Sequence, residues 1–518
     1  EHNLKHFQNN LKHFQNKLES QKIPTLEKIK KLLEQNIDVD PQKFWEKDPV
    51  VCELRLHDMN AICHVKAIPQ YKEEDQKEFR KDIEDLLNKR LIQPSTSPHH
   101  APAFYVRNHA ENLRGKARMV IDYRDVNKKT VKDGYQIAQV RVLINQLRGA
   151  KVFSKFDAKS GFWQVKMHPE SVPLTAFGTP QGHYEWLVMP FGLKQAPSIF
   201  QRKMDNIFKH VAEFCVVYID DILVFSKNRE EHMKHLHEVV KLIVQHGIIL
   251  GEKKIFFILD EVDFLGINIK DGVIKLQPHI LEKIWKFPDR IPDAKSLERF
   301  LGVINYGRDF IPKISGLTAM LSPKTSSKRK WNFTEDDEKI VKQIKNLCKN
   351  LPPLQQPEEN DEIILQTDAS DNYWSGVVLA KTPGTNIEKI CKFCSGKFSP
   401  AELNYPTGEK EILAVKKTIL NSPAFLGKPF TVSPDCARVK NFKNFKLDKA
   451  ADRGRLANWQ LFLNQYDYNV ELIAGNKNYL PDALTREMAM FSRRDDDEGR
   501  NPRSRRLGRS EERRVGKE

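Results

Sequence analysis

The sequence predicts an α+β chain of three or more packed units that closes with a separate α/β domain. Three observations carry this. At 518 residues the chain exceeds what one hydrophobic core usually fills. From residue 103 to about 270, apolar strand-like runs and helices mix irregularly instead of alternating. "NLPPLQQPEEND" (350–361) then has the proline and charge density of a linker. After it, "EIILQTDAS" and "SGVVLAK" read as hairpin strands opening a domain that runs to about 487.

Composition narrows the class. Hydrophobic residues at 40% can fill real cores, and 30% charged residues make a soluble surface. No apolar run is long enough to span a bilayer, and the N-terminus lacks the shape of a signal peptide. Seven scattered Cys fit a reducing, intracellular setting, and a cytoplasmic location is expected. The net charge is +16, of which the tail 491–518, with ten basic and seven acidic residues, supplies only +3. The remaining +13 belongs to the folded part, which fits a protein that grips nucleic acid phosphates and equally one that is only well solvated.

Along the chain, "NLKHFQN" at 3–9 recurs at 10–16, either a two-heptad seam or a plain duplication of sequence. Residues 73–93 put Phe79, Ile83, Leu86 and Leu87 on one face and stop before Pro94, which predicts an amphipathic helix. Residues 279 to about 350 are again helix-rich. The tail 488–518 has almost no apolar content and is expected to be disordered. Its last ten residues look like the translation of a short-read library adapter.

"CVVYIDDILVFS" (215–226) sets Asp220 and Asp221 in an otherwise apolar run that reads as two strands of a buried hairpin. Adjacent buried carboxylates repel each other and lose hydration, a cost that a divalent cation relieves. Hard cations take oxygen ligands, and two of them clamp the oxygens of a phosphoryl transfer. A further carboxylate is needed, and Asp157 in "VFSKFDAKSGFWQV" (152–165) offers one at the end of an apolar strand.

At this point "RMVIDYRDVN", "FDAKSGFWQ", "TPQGHYEWLVMPFGLKQAPSIFQRKMD", "YIDD" and "FLG" (264–266) resemble, in order, the fingers and palm of reverse transcriptases. The wording is most similar to plant pararetroviruses of the caulimovirus group, then to gypsy-type retrotransposons. It covers roughly residues 45–487. The resemblance implies a right-hand polymerase with fingers and palm (71–272) after a leader or linker (1–70), then thumb and connection (273–357).

It also implies that Asp157 and Asp220, assisted by Asp221, hold two Mg²⁺ ions, with Mn²⁺ as a substitute. Lys116 and Arg118 would grip the triphosphate of a dNTP, with Arg114 competing for the place of Lys116. Gln181 resembles the residue that contacts the nucleotide sugar. Phe162 occupies the position of the ring that excludes a ribose 2′-hydroxyl. "FLG" would be the primer grip.

The last domain (358–487) repeats the pattern. Asp368, Glu411, Asp435 and Asp482 fall on a strand, a helix, a strand end and a helix, in an order that resembles ribonuclease H with its own two metals. Helical periodicity leaves Glu409 and Glu411 open, and the resemblance selects Glu411. Pro434 stands where the family usually has Thr, which makes Asp435 a departure. The His on a mobile loop found in many ribonucleases H has no counterpart in "ELIAGNKNYLPD".

Two other clusters read as structural. Cys391 and Cys394 suit a strand facing two ways better than zinc. His232, His235 and His237, with His246 beyond, suit an ordinary surface helix better than a metal site. No Asp-Thr/Ser-Gly triplet and no His-His-Cys-Cys arrangement occurs, so neither an aspartic protease nor an integrase is expected in the chain.

The expected function is therefore an RNA-directed and DNA-directed DNA polymerase with ribonuclease H activity, belonging to a viral or endogenous pol polyprotein. Template-primer, RNA–DNA hybrid, dNTPs and other pol or capsid products are its expected partners, with no membrane. The competing readings are an RNA-dependent RNA polymerase, opposed by Phe162 and the ribonuclease H unit, and a silent nucleic-acid-binding relic, opposed by the intact carboxylates.

Overall fold

A computed structural model describes residues 24–47, 50–65, 70–106, 117–312, 314–326, 328, 330–443, 454–474, 478 and 481. The N-terminal repeat, Arg114, Lys116, Asp482 and the tail lie outside the described residues. The chain divides into two compact units, residues 1–262 and 263–518.

In the first unit the labelled elements are α1 (Leu26–Leu33), α2 (Glu73–Asn88), β1 (Ala101–Val106), β2 (Arg118–Ile121), β3 (Val152–Asp157), β4 (Phe177–Thr179), β5 (Gly182–Trp186), α3 (Ala196–Phe208), β6 (Cys215–Tyr218), β7 (Asp221–Ser226), α4 (Arg229–Gln245) and β8 (Phe256–Leu259). The palm is a four-stranded sheet in the order β8-β3-β7-β6 with every neighbouring pair antiparallel. A five-stranded fingers sheet runs Ile92–Pro94, β5, β4, β1, β2, with β1 and β4 parallel.

The apolar flanks of the Asp220–Asp221 pair do form two strands. Val216, Ile222, Leu223 and Val224 are buried, as the β-branched and aromatic run predicts. The amphipathic helix starts at Glu73 as expected and buries Phe79, Ile83 and Leu86, but it ends at Asn88. Arg90 takes a left-handed φ of +51°, and the Gln42 side chain donates to the carbonyls of Lys89 and Arg90, so the last turn is closed early.

Two expectations about connections are corrected by the packing. The described part of the expected leader or linker 1–70 is not loose: Ile29, Leu33, Cys52, Leu54 and Leu56 join the first unit's core. "NLPPLQQPEEND" is not a free linker either. Leu354–Gln355 pairs as a strand, and Asp361 is buried and bonded to Lys389.

The second unit contains α5 (Pro278–Lys286), α6 (Ala294–Tyr306), α7 (Ile314–Leu321) and α8 (Glu335–Leu347), which share one apolar core. Then come β9 (Glu362–Ala369), β10 (Tyr373–Lys381), β11 (Glu388–Lys397), α9 (Thr407–Asn421), β12 (Phe430–Pro434), α10 (Arg455–Leu463) and β13 (Tyr468–Val470). Their sheet runs β11-β10-β9-β12-β13, antiparallel up to β9 and parallel beyond it. The "FLG" stretch lies in this unit, where the Tyr306 hydroxyl donates to the Leu265 carbonyl.

Cys391 and Cys394 do not face opposite ways. A register shift opposite Val378 and Leu379 makes Cys391 the extra residue of a bulge, and both thiols join the same core. His232 is likewise not a surface residue but is fully buried. It links Ser154 Oγ on β3 (2.8 Å) to Ser226 Oγ on β7 (2.9 Å), and burial pushes its pKa down to about 4. His235 stacks on Phe214 with ring centroids 3.8 Å apart.

Candidate active sites

The polymerase carboxylates meet where β3 ends beside the β6–β7 hairpin. Asp221 pairs in register with Asp157 on one side and with Tyr218 on the other. Ile219 and Asp220 form the turn between them. Ile219 holds φ +53°, a left-handed conformation that is strained for a β-branched residue. Its amide donates to Gln201 Oε1 at 2.7 Å, and Gln201 Nε2 donates to the Val217 carbonyl at 3.0 Å. The Ala158 amide donates to the Asp220 carbonyl at 2.8 Å, which ties the turn to β3.

The electrostatics follow from this crowding. Burial, then the charges of Asp157 and Asp221, push the Asp220 carboxyl up to about 7, against an opposing pull from Lys254. Asp220 Oδ1 is buried with no hydrogen-bond partner. A Cβ on Gly161 would lie 2.1 Å from that oxygen and 2.9 Å from Phe200 Cζ, so only glycine leaves room there. Lys254 Nζ pairs with Asp157 Oδ1 at 2.8 Å, and Lys155 Nζ pairs with Asp221 Oδ1 at 3.1 Å. Carboxylate oxygens, one of them without a partner, are a donor set suited to a hard divalent cation.

Beside this cluster the Arg118 guanidinium lies over the Phe191 ring, 5.3 Å from its centroid. Phe162 packs between Phe191 and Phe200 at 5.1 and 5.7 Å. A cavity of about 710 Å³ opens here, lined by Asp82, Arg118, Trp163, Trp186, Phe191 and Gly192. Gln181 is not brought to it. That residue lies in the β4–β5 turn, where its Nε2 donates to the Gln76 carbonyl of α2 at 3.2 Å. Phe191, in "MPFG", is the residue that meets Arg118 instead. Gln201 and Lys254 were also missed, and no local pattern marks either of them.

In the second unit, Asp368 near the end of β9, Glu411 on α9 and Asp435 just after β12 bring carboxylate oxygens within 4.8 Å of one another. Burial, then Asp368 and Asp435, push Glu411 up to about 8, while an Ala369 N–H bond to Oε1 (3.3 Å) pulls the other way. Glu411 Oε2 is buried without a partner. Glu409, two residues earlier and so on the opposite helix face, pairs with Arg455. Pro434 pairs with Thr367 in the parallel ladder and leaves Asp435 in the cluster. Ser375, the register partner of Asp368, donates to the carbonyl of Pro481, the residue before Asp482, at 2.9 Å.

A palm with three acids, two on adjoining strands and one in the hairpin turn between strands, together with a mixed sheet gathering a second acidic set, defines a reverse transcriptase joined to a ribonuclease H-like domain. Residues 106–269 match the family model described as "Reverse transcriptase (RNA-dependent DNA polymerase)". Residues 333–432 match the one described as "RNase H-like domain found in reverse transcriptase". The enzymatic polyprotein of Cauliflower mosaic virus (strain Strasbourg) is 44% identical over 470 residues, 89% of this chain and 68% of the viral protein. That of Figwort mosaic virus (strain DxS) is 42% identical over 467 residues, 89% and 69% of the two chains. The foamy viral protease-reverse transcriptase solved in complex with double-stranded DNA shares the fold with a TM-score of 0.69 at 23% identity, over 86% of this chain and 77% of that one. The chain belongs to the family of caulimovirus enzymatic polyproteins and is an RNA-directed DNA polymerase with ribonuclease H activity. Among the described residues, no helix is long and apolar enough to cross a membrane.

Proposed function

We propose that the chain copies RNA, and the DNA made from it, into DNA from dNTPs, and then cuts the RNA of the hybrid, each step at its own pair of Mg²⁺ or Mn²⁺ ions. The observation that supports this best is the in-register pairing of Asp157 with Asp221 around Asp220, whose buried Oδ1 has no partner. In this reading Asp157 and Asp220, assisted by Asp221, hold the polymerase ions, and Asp368, Glu411, Asp435 and Asp482 hold those of the nuclease. When bound, the ions neutralise the charge that builds on the phosphoryl oxygens.

The chain's own groups bind and orient. Arg118, held over Phe191, presents a bidentate fork to the triphosphate, and Lys116 adds a second cation. The Phe162 ring, wedged between Phe191 and Phe200, fills the space a ribose 2′-hydroxyl would enter. Asp220 and Glu411 release their protons before they can hold a cation, which ties both activities to pH.

Template-primer and hybrid are gripped through their phosphates by a chain of net charge +16. Related foamy viral enzymes have been solved in complex with double-stranded DNA and with RNA/DNA hybrid. Fingers and palm are assigned to 71–272, of which 263–272 cluster with the second unit, with Ile29, Leu33, Cys52, Leu54 and Leu56 packed into their core; thumb and connection are assigned to 273–357 and the nuclease to 358–487. A cytoplasmic setting with other pol and capsid products follows from the family resemblance.

Primer extension by the purified chain on an RNA template, with dNTPs against rNTPs and with the template labelled, tests this reading. DNA product and shortened RNA are expected. Extension with rNTPs alone, or no extension in Mg²⁺ or Mn²⁺, contradicts it.

A further inference from the structure

Residues 25–47 precede the stretch that matches the polymerase family model, yet they join its core, and their middle bridges at Ile37 to Leu250, which in turn bridges Ala158 beside the acidic strand. α1 buries Ile29 and Leu33 in the core shared with α4. Asn36 is fully buried and donates from Nδ2 to the carbonyls of Ile243 and Ile248, at 3.4 and 3.0 Å. Leu250 N donates to the Asn36 carbonyl (2.9 Å) and Asp38 N to the Leu250 carbonyl (3.0 Å), a parallel bridge. On its other side Leu250 bridges Ala158: Lys159 N donates to the Ile249 carbonyl (2.9 Å) and Gly251 N to the Asp157 carbonyl (3.1 Å). Segments 36–38, 249–251 and 157–159 thus lie side by side, with Asp157 at the edge.

Asp38 closes this ribbon. Its φ is +50°, a conformation that Asp and Asn tolerate better than most residues. Oδ1 pairs with Lys159 Nζ at 3.0 Å, and Oδ2 accepts from the Glu252 amide at 3.4 Å. That amide starts the single turn Glu252–Lys254, from which Lys254 reaches Asp157. The Asp38–Lys159 pair is more than two-fifths exposed on both sides and so adds little to stability. Its placement, between the strap and two segments of the site, matters more than its strength. The strap has little room to slide, because a Cβ on Gly247 would lie 2.2 Å from Phe44 Cβ.

We propose that residues 25–47 are a working part of the polymerase and that Asp38 is a positioning residue, setting the 249–254 turn and through it the Lys254–Asp157 contact. This rests on the reading of Asp157 as a polymerase carboxylate. The strap holds the back of the site in the geometry that the acidic cluster needs.

The test compares Asp38→Gly, which accepts the left-handed backbone without strain, and Asp38→Asn with the unaltered full-length chain. kcat and KM for single-nucleotide incorporation, ribonuclease H activity and Tm are measured on the same preparations. Asp38→Gly should lower kcat about tenfold with KM within about twofold, because sub-ångström misplacement of a reacting group acts on kcat. Ribonuclease H activity and Tm should not change, and Asp38→Asn should fall between. An unaltered chain that does not polymerise overturns the functional reading itself. A chain that polymerises, with Asp38→Gly at the same kcat, altered only in KM, or losing kcat and Tm together, overturns the positioning role.

Discussion

Asp220 Oδ1 occupies a notch that Gly161 keeps open, with 2.1 Å between that oxygen and the place a Cβ on Gly161 would take. Gly161 sits four residues after Asp157, so one turn both ends the acidic strand and makes room for the second acid. Gly161→Ala should therefore push Asp220 out of line with Asp157. Polymerase kcat is expected to fall about 10²-fold, the scale of a misplacement near 1 Å. Ribonuclease H activity of the same protein should hold, and an alanine variant with full polymerase activity would show that Asp220 need not sit there.

Gln201 holds the strained turn from below. Gln201→Leu leaves the Ile219 amide and the Val217 carbonyl without that side chain, an expected loss of about 1–3 kcal/mol in stability. Adding Ile219→Gly in that background should recover part of the loss, because glycine takes a φ of +53° without strain. Denaturant midpoints of the two variants check this, and an unchanged midpoint in Gln201→Leu argues against stored strain.

Glu411 gives a pH signature with a definite sign. Its folded pKa of about 8 lies above the unfolded 4.5, so between these values the native state binds more protons than the unfolded one. Metal-free stability should then be highest at low pH on this account and fall as pH rises from 4.5 to about 8. Glu411→Gln should flatten that fall and raise the metal-free Tm at pH 8, while abolishing RNA cleavage. Thermal melts in chelator across this range read it out, and a wild-type curve parallel to that of Glu411→Gln contradicts it.

Phe162→Val opens the space between Phe191 and Phe200. Incorporation of rNTPs relative to dNTPs should rise at least about tenfold, since removing a steric block shifts discrimination by 1.4 kcal/mol or more. Competition assays on one template measure the ratio, and an unchanged ratio assigns Phe162 to packing alone.

Much of this was legible in the residues themselves. The two acidic sets sit in runs whose apolar flanks demand burial, so chemistry and local pattern pointed the same way. What escaped reading depends on partners far along the chain. Asn36 bonds to Ile248 across 212 residues, so a segment that looked like a leader is core. His232 falls on a polar-looking helix start and is buried because Ser154 and Ser226 await it on two strands. Gln181 and Phe191 lie in the same motif-rich stretch, and only the fold shows that Phe191 meets Arg118 while Gln181 turns to α2. Cys391 and Cys394 were misjudged because a bulge breaks the period of two that a strand reading assumes.

The central claim is that one chain carries two separate acidic sites. Its most direct measurement is a cross of two variants, Asp220→Asn and Glu411→Gln, each assayed for primer extension and for RNA cleavage. The account predicts that Asp220→Asn loses DNA synthesis by at least about 10³-fold and keeps cleavage, and that Glu411→Gln does the reverse. Loss of both activities in either variant, with its Tm unchanged, would contradict it.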